Sequence, residues 1–262
     1  MLHDGCEILI DAPMAKRGRA MLCAMASANQ RTAAVTDKYA GRHGLLMLYG
    51  AGLESRRAAT LAHLGAGGRV ASWDLGYWDR EVALRLSLDG LHPDPGHLAM
   101  APATGARGPA RTLREDANPA GPILLVGLGK KSEALYRLGH LEWERRTLAA
   151  LRLRFPGRAI AWRPKGKRPE PLEGTVSRWD MPIEHALWGC SLVVCRHSNV
   201  AVDAAIAGVP VECEGGAAAA LFGDNPRPTR PQRAEFLRRL GWWNWSPSEA
   251  ADAWVWIRRT TA

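Results

Sequence analysis

Ser191-Leu-Val-Val-Cys195 runs straight into Arg196-His197-Ser198-Asn199-Val-Ala-Val-Asp203-Ala-Ala-Ile-Ala-Gly208-Val-Pro210-Val211, and this stretch decides how the chain is read. A short apolar run with the length of a buried strand is followed by hydroxyl and amide side chains that cap helices, and then by alanine-rich apolar residues. Gly208 falls where a left-handed residue closes a helix, and Pro210 prevents its continuation. A strand feeding a helix in this way is the repeating unit of a parallel, doubly wound sheet. Ligands of open α/β sheets bind at the carboxyl edge, where the helix dipole favours anions. Ser198 and Asn199 are therefore either capping residues or ligand-binding ones. Asp203, about one turn into the helix, is placed to accept hydrogen bonds from ribose hydroxyls.

The same alternation extends outward. Glu7-Ile-Leu-Ile-Asp11 reads as a strand with a helix over 19–28, and Gly44-Leu-Leu-Met-Leu-Tyr-Gly50 as another strand. A helix over 54–64 follows, stopped by Gly65, Gly67 and Gly68, and Arg69-Val-Ala-Ser-Trp-Asp74 resumes as strand. Residues 101–121 are rich in Pro, Gly and charge without apolar period, as in a linker. Strands then return at 122–127, 158–163, 191–195 and 209–213, with helices at 141–155 and 199–207. The expected fold is α/β: two small doubly wound, Rossmann-like domains facing across a cleft. The first spans 1–100 and the second 122–262, with helical segments over 234–259 packing across both.

Bulk composition supports two such domains. The chain has 262 residues, 47% hydrophobic and 23% charged, enough apolar material for packed cores and too much for a disordered chain. No apolar run reaches the ~18 residues of a membrane span, and Asp4 and Glu7 stand where a signal peptide would be basic and then apolar; a cytoplasmic protein is expected. Five cysteines without Cys-x-x-Cys spacing read as reduced thiols. No Asp-x-Asp pair is present, so neither a metal nor a cofactor is expected. The formal charge of +9 points to polyanionic partners, although an arginine-rich composition produces the same excess.

Three further segments carry the functional reading: Arg163-Pro-Lys165, Met181-Pro-Ile-Glu-His-Ala-Leu187, and Val193-Val-Cys-Arg-His-Ser-Asn-Val-Ala-Val-Asp-Ala-Ala-Ile-Ala-Gly-Val-Pro-Val211. Together they resemble the C-terminal domain of glycosyltransferase B proteins, especially capsule-polysaccharide-type and phage-encoded transferases. The resemblance covers roughly residues 122–222. In that family a strand ends in an Arg-Pro-His-Pro-like or Lys-Pro segment, and a later Ser-Ser/Asn-x-x-x-Glu-Ala helix holds the donor nucleotide. Here Lys165-Gly166 replaces His-Pro, which removes any histidine role at that point, and Asp203 replaces Glu, a mild change for diol binding. The resemblance implies transfer of a sugar from a nucleotide-diphosphate donor. Arg163, Lys165, His197, Ser198, Asn199 and Asp203 are the donor-binding candidates. Gly127-Leu-Gly129-Lys130 adds a glycine turn after the domain's first strand, which is either a phosphate-side turn or a flexible basic loop.

In the first domain, Trp73-Asp74-Leu-Gly-Tyr77-Trp78-Asp79-Arg80 leaves a strand end with an acid, a glycine, aromatics and a cation. Asp74 is the candidate general base for an acceptor hydroxyl, with His92 the alternative in a segment expected to line the same cleft. Tyr77, Trp78 and Arg80 are acceptor-side candidates through ring stacking and charge. Five of the 11 tryptophans fall between Trp242 and Trp256, and packing is their expected role. The acceptor is a hydroxymethylated DNA base or a glycan; a non-catalytic nucleotide- or nucleic-acid-binding module is the competing reading. The DNA reading predicts retention on immobilised duplex at low salt and release as salt rises, because counterion release drives such binding. Absence of retention at low salt would remove its physical basis.

Overall fold

The computed structural model describes residues 3–12, 14–105, 107–166 and 170–261. Contacts divide the chain into two units, Met1–Pro109 with Arg238–Ala262, and Ala110–Leu237. Both are α/β.

The first unit contains β1 (His3–Leu9), α1 (Lys16–Ala28), β2 (Ala33–Thr36), β3 (His43–Tyr49), α2 (Glu54–Gly65), β4 (Arg69–Leu75), β5 (Leu84–Leu88) and α3 (Pro95–Ala99). Its sheet order is β11-β5-β4-β3-β1-β2, where β11 (Asn244–Trp245) comes from the tail. The strands from β4 to β2 are parallel, whereas β5 and β11 are antiparallel additions. Helix α1 buries Gly18, Met21, Leu22 and Met25, the spacing of one helical face. Each of its large apolar side chains contributes roughly 1.5–3 kcal/mol by leaving water. Gly18 is required at that face, since a Cβ there would lie 2.4 Å from the Tyr49 ring.

The second unit contains β6 (Ile123–Val126), α4 (Lys130–Tyr136), α5 (Glu142–Arg154), β7 (Ile160–Arg163), β8 (Val176–Ser177) and α6 (Ile183–Leu187). It continues through β9 (Leu192–Cys195), α7 (Val200–Ala207), β10 (Val211–Cys213), α8 (Ala219–Phe222) and α9 (Arg230–Leu240). Its sheet, ordered β10-β9-β6-β7-β8, is parallel throughout. A parallel sheet buries both faces, which is why its central strands read as unbroken apolar runs rather than alternating ones. The core beneath α5 joins Leu125, Trp143, Leu148, Trp162 and Val194.

Two expectations about boundaries differ from the structure. The tail was expected with the second domain; residues from Arg238 onward cluster instead with the first unit, so the boundary falls within α9. The cause is pairing and packing: β11 extends the first sheet beside β5, and α10 (Ala250–Thr261) lies on α1. Trp243, Trp245 and Trp256 are buried there at 0%, 1% and 3% exposure, and the Arg107 guanidinium stands 3.6 Å over the Trp245 ring. The segment expected as a linker, 101–121, is divided by the unit boundary. Its second part is fastened to the second unit, with Arg114 and Asp116 amides donating to Ile206 and Ala207 carbonyls.

At the carboxyl edge of the first sheet, Arg56 from the first turn of α2 is 1% exposed. Its Nε and Nη2 donate to the two Asp11 oxygens at 2.9 and 2.5 Å, and Nη1 donates to the Tyr49 carbonyl at 2.7 Å. One side chain thus ties the exits of β1 and β3 to α2. Removing one partner of a buried pair leaves an uncompensated charge, so Arg56→Ala should lower the unfolding free energy by about 3–5 kcal/mol in urea titrations. A loss below about 1 kcal/mol, the range of a surface pair, would contradict this role.

Candidate functional site

From β6 the second unit builds outward through β7 to β8, then crosses back to place β9 on the other side of β6. The loops after β6 and β9 therefore diverge to opposite faces, leaving a crevice at the carboxyl edge. The sequence supplies Gly127-Leu-Gly129 on one side and Arg196-His197-Ser198-Asn199 on the other.

His197 spans the two. Its Nε2 lies 3.0 Å from Ser132 Oγ and its Nδ1 3.2 Å from the Tyr136 hydroxyl, both partners on α4. The Arg196 guanidinium stacks 3.9 Å over the Tyr136 ring, and its Nε lies 3.2 Å from Glu214 Oε2. Glu214 Oε1 in turn accepts the Trp143 indole N–H at 2.5 Å. Burial raises the Tyr136 hydroxyl above its ordinary range, with Arg196 acting in the opposite direction and Glu214 adding to the rise. Tyr136 meets His197 as a hydroxyl within hydrogen-bond distance.

Of the two glycines of the β6 loop, only Gly127 is required by its surroundings. A Cβ at Gly127 would lie 2.4 Å from the Trp162 ring, so only glycine lets the turn pass that indole. Gly129 lies against Lys165, whose Cδ would be 3.8 Å from a Cβ there. Lys165 also acts on Cys195 at the end of β9. Burial and Cys213 push that thiol up to about 12, while the Ser198 amide and Lys165 pull it down. Gly127, Gly129, Lys130, Lys165 and His197 thus share one crest of the sheet.

Other candidates take different places. Ser198, 9% exposed, caps α7: its Oγ accepts the Val200 amide at 3.3 Å and its carbonyl accepts the Ala201 amide at 3.1 Å. Asn199 occupies the N-cap position, and its carbonyl accepts the Val202 and Asp203 amides at 3.0 and 3.2 Å. The first-turn amides are therefore engaged locally. Arg163, adjacent in sequence to inward-facing Trp162, points to the opposite side of the sheet, as strand alternation requires. There its Nη1 donates to the Arg178 and Met181 carbonyls at 2.7 and 2.8 Å. Burial lowers its basicity, opposed by the charges of Asp203, Glu184 and Asp180. Arg163 and Lys165, both expected to bind the donor, take different places: Lys165 lies at the crest, while Arg163 fastens the 178–181 segment near Asp203.

In the first unit Asp74 stands at the carboxyl end of β4, opposite Arg85 in the antiparallel register. Its Oδ2 lies 3.2 Å from Arg85 Nη2, its Oδ1 accepts the Leu75 amide at 2.7 Å, and its side chain is 45% exposed. His92 is not brought beside it. Asp89 is held at Val70, and the Gly90 and Leu91 carbonyls accept hydrogen bonds from Ser72 and Ser87, which places that segment toward the amino end of β4. Tyr77 and Trp78, expected as exposed rings, are 1% and 6% exposed. The loop folds inward because the Tyr77 amide donates to Asn244 of the tail at 2.9 Å, while Arg80 caps the Gly76 and Tyr77 carbonyls. No sequence signal identified the tail as the partner of that loop.

Sequence reasoning also missed Tyr136, Arg196, Glu214 and the half-exposed Trp179. The Trp179 indole donates to the Gly166 carbonyl at 3.2 Å, just beyond Lys165. Tyr136 lies beyond the Gly127-Leu-Gly129-Lys130 segment that was singled out, on α4, which is seven residues long and without a buried face. Among the described residues no helix is long and apolar enough to cross a membrane, and no three His, Cys, Asp or Glu side chains gather as a metal-binding set.

No protein-family profile matches the chain, and no curated protein does. Solved structures do. The β-Kdo 2,4 transferase of Thermosulfurimonas dismutans KpsC aligns with a TM-score of 0.50 at 10% identity, covering 90% of this chain and 91% of that one. The β-Kdo 2,7 transferase of the same KpsC aligns at 0.50 and 14% identity, covering 98% and 100%. A spinosyn rhamnosyltransferase, SpnG, solved with thymidine diphosphate, covers 99% and 100% at a TM-score of 0.33 and 11% identity. The chain has the two Rossmann-like units of the glycosyltransferase B fold and structurally resembles capsule-type transferases.

Proposed function

We propose that the chain is a glycosyltransferase that uses a nucleotide-diphosphate sugar, with the donor held at the crest of the second unit. The observation that carries this reading is the crevice between the loops after β6 and β9, bridged by His197 and flanked by Lys165 against Gly129. Lys165 and Lys130 supply charge for the diphosphate, and the dipole of α7 adds a favourable field although its first amides are engaged. Asp203, beside Arg163 on the α7 side of that edge, is assigned the ribose hydroxyls rather than the diphosphate. The solved KpsC transferases, by their names, transfer Kdo, and the shared fold makes sugar transfer the first activity to test. Turnover is proposed to need no metal ion.

For the acceptor, a glycan hydroxyl is the better reading. An extruded base is held by stacking on the acceptor side, and there Tyr77 and Trp78 beside Asp74 are enclosed, while the exposed Trp188 and the half-buried Trp179 belong to the second unit. A hydroxymethylated DNA base remains the second reading because the net charge of +9 favours a polyanion. Asp74 is the proposed base in either case: it is half-exposed at a carboxyl sheet edge, and the Arg85 pair orients one oxygen while keeping it in reach of solvent.

The experiment is a screen of nucleotide sugars by thermal shift, followed by mass spectrometry of glycan and hydroxymethylated-DNA acceptors. A mass increase of one sugar on a glycan is expected; an increase on DNA alone would select the second reading, and none on either would refute transferase activity with these substrates. Asp74→Asn keeps the shape and removes the proton acceptor, so turnover should fall about 10²–10⁴-fold with donor binding retained. Near-normal turnover would exclude Asp74 as base.

A further inference from the structure

Glu144 is fully enclosed, at 0% exposure, in the first turn of α5. Its Oε1 accepts the Leu128 amide at 2.6 Å, a charge-assisted distance, while its Oε2 meets no hydrogen-bond partner among the described residues. A buried carboxylate without a cation costs several kcal/mol, so fold stability alone would favour an apolar residue or an amide at this position. Buried unsatisfied polar atoms are uncommon and call for a reason outside packing.

The reason lies in what the amide belongs to. Leu128 is the middle residue of the Gly127-Leu-Gly129 turn, and glycines on both sides leave that turn little stiffness of its own. The Gly127 amide and the Gly129 carbonyl hold the ends of the turn, donating to Arg163 and accepting from Ser132 and Glu133; its middle is fixed by the Leu128 side chain in the core beneath α5 and by Glu144 on the Leu128 amide. The neighbouring Trp143 reaches the other loop: its indole holds Glu214, and Glu214 pairs with Arg196 beside His197. The first turn of α5 thereby ties together the loops after β6, β9 and β10. Burial raises the Glu144 carboxyl above its ordinary range, opposed by the Leu128 amide and its own amide, with Glu133 adding to the rise and His140 opposing it. That direction lessens its repulsion of a nearby anion.

We infer that Glu144 is a positioning residue, whose carboxyl oxygen fixes the Gly127-Leu128-Gly129 turn where Lys130 and the adjoining Lys165 take hold of the donor's diphosphate. This rests on the donor reading above. It assigns Glu144 the role of an acceptor of set reach rather than of a charge, which makes Glu144→Gln the conservative replacement.

The test is calorimetric titration of the full chain with inorganic pyrophosphate, alongside thermal unfolding. Glu144→Leu removes the acceptor at similar volume and should weaken pyrophosphate about tenfold or more, whereas Glu144→Gln should stay within about threefold of wild type, the loss of one charge-assisted bond setting the scale. A purely structural role would not separate these two variants in affinity at matched folding. If Glu144→Leu does not fold, Glu144→Asp decides, because it withdraws the oxygen by about one bond length and should weaken binding about fivefold. Lys165→Ala is the control on the donor site itself. Wild-type affinity in Glu144→Leu, or in Glu144→Asp if that is the variant used, combined with weakening in Lys165→Ala, overturns the role of Glu144 alone; so does a Gln variant as weak as the Leu variant. Absence of pyrophosphate binding by the wild type, or full affinity in Lys165→Ala, overturns the donor site and this inference together.

Discussion

The geometry of the second unit's carboxyl edge depends on the imidazole of His197. Each ring nitrogen meets a hydroxyl on α4, so a residue from the loop after β9 fixes the helix that follows β6. Parallel pairing brings those two loops side by side but does not specify their separation; the side-chain bridge does. A phenol is neutral near pH 7, and burial of Tyr136 reinforces that, so the imidazole meets it as a hydrogen-bonding partner rather than a counter-ion. Arg196, stacked on the same tyrosine, is oriented by Glu214 and supplies the nearby positive charge.

From that bridge the remaining roles separate by sheet face. The crest holds Gly127, Gly129, Lys130, Lys165 and His197, a combination of small residues and cations suited to close approach of phosphate. The side toward α6 and α7 holds Arg163 with the carboxylates of Asp203, Glu184 and Asp180, where the guanidinium supports backbone. Strand alternation sets Arg163 opposite Trp162, whereas Lys165 lies beyond the end of β7 and turns toward Gly129. Glu144 reaches the crest from beneath, through an amide.

How much was legible in the sequence follows from how local each signal is. The strand at 191–195, the helix at 199–207 and its Gly208 stop were readable because capping and periodicity act within a few residues, and the structure places α7 at Val200–Ala207. Segments β2, β5 and β8 were not readable as strands: two to five residues long, they become strands by pairing with neighbours already in place. Lys165 and His197 were singled out as candidates from their position in the motif, and both lie at the carboxyl edge of the second sheet. Glu144 and Glu214 carry no motif, since their roles arise from partners 16 and 71 residues away. Tyr77 and Trp78 were misplaced for the same reason: Asn244, which turns that loop inward, is 167 residues distant.

The central claim is that nucleotide occupies the crest between the β6 and β9 loops. Amide hydrogen exchange tests it most directly, with the full chain free and then saturated in turn with uridine, cytidine, thymidine, adenosine and guanosine diphosphates. At least one nucleotide should slow exchange in residues 127–136 and 196–203 while leaving α1 and β2 unchanged. Nucleotide-dependent protection confined to the first unit, or none with any of the five, would contradict the account.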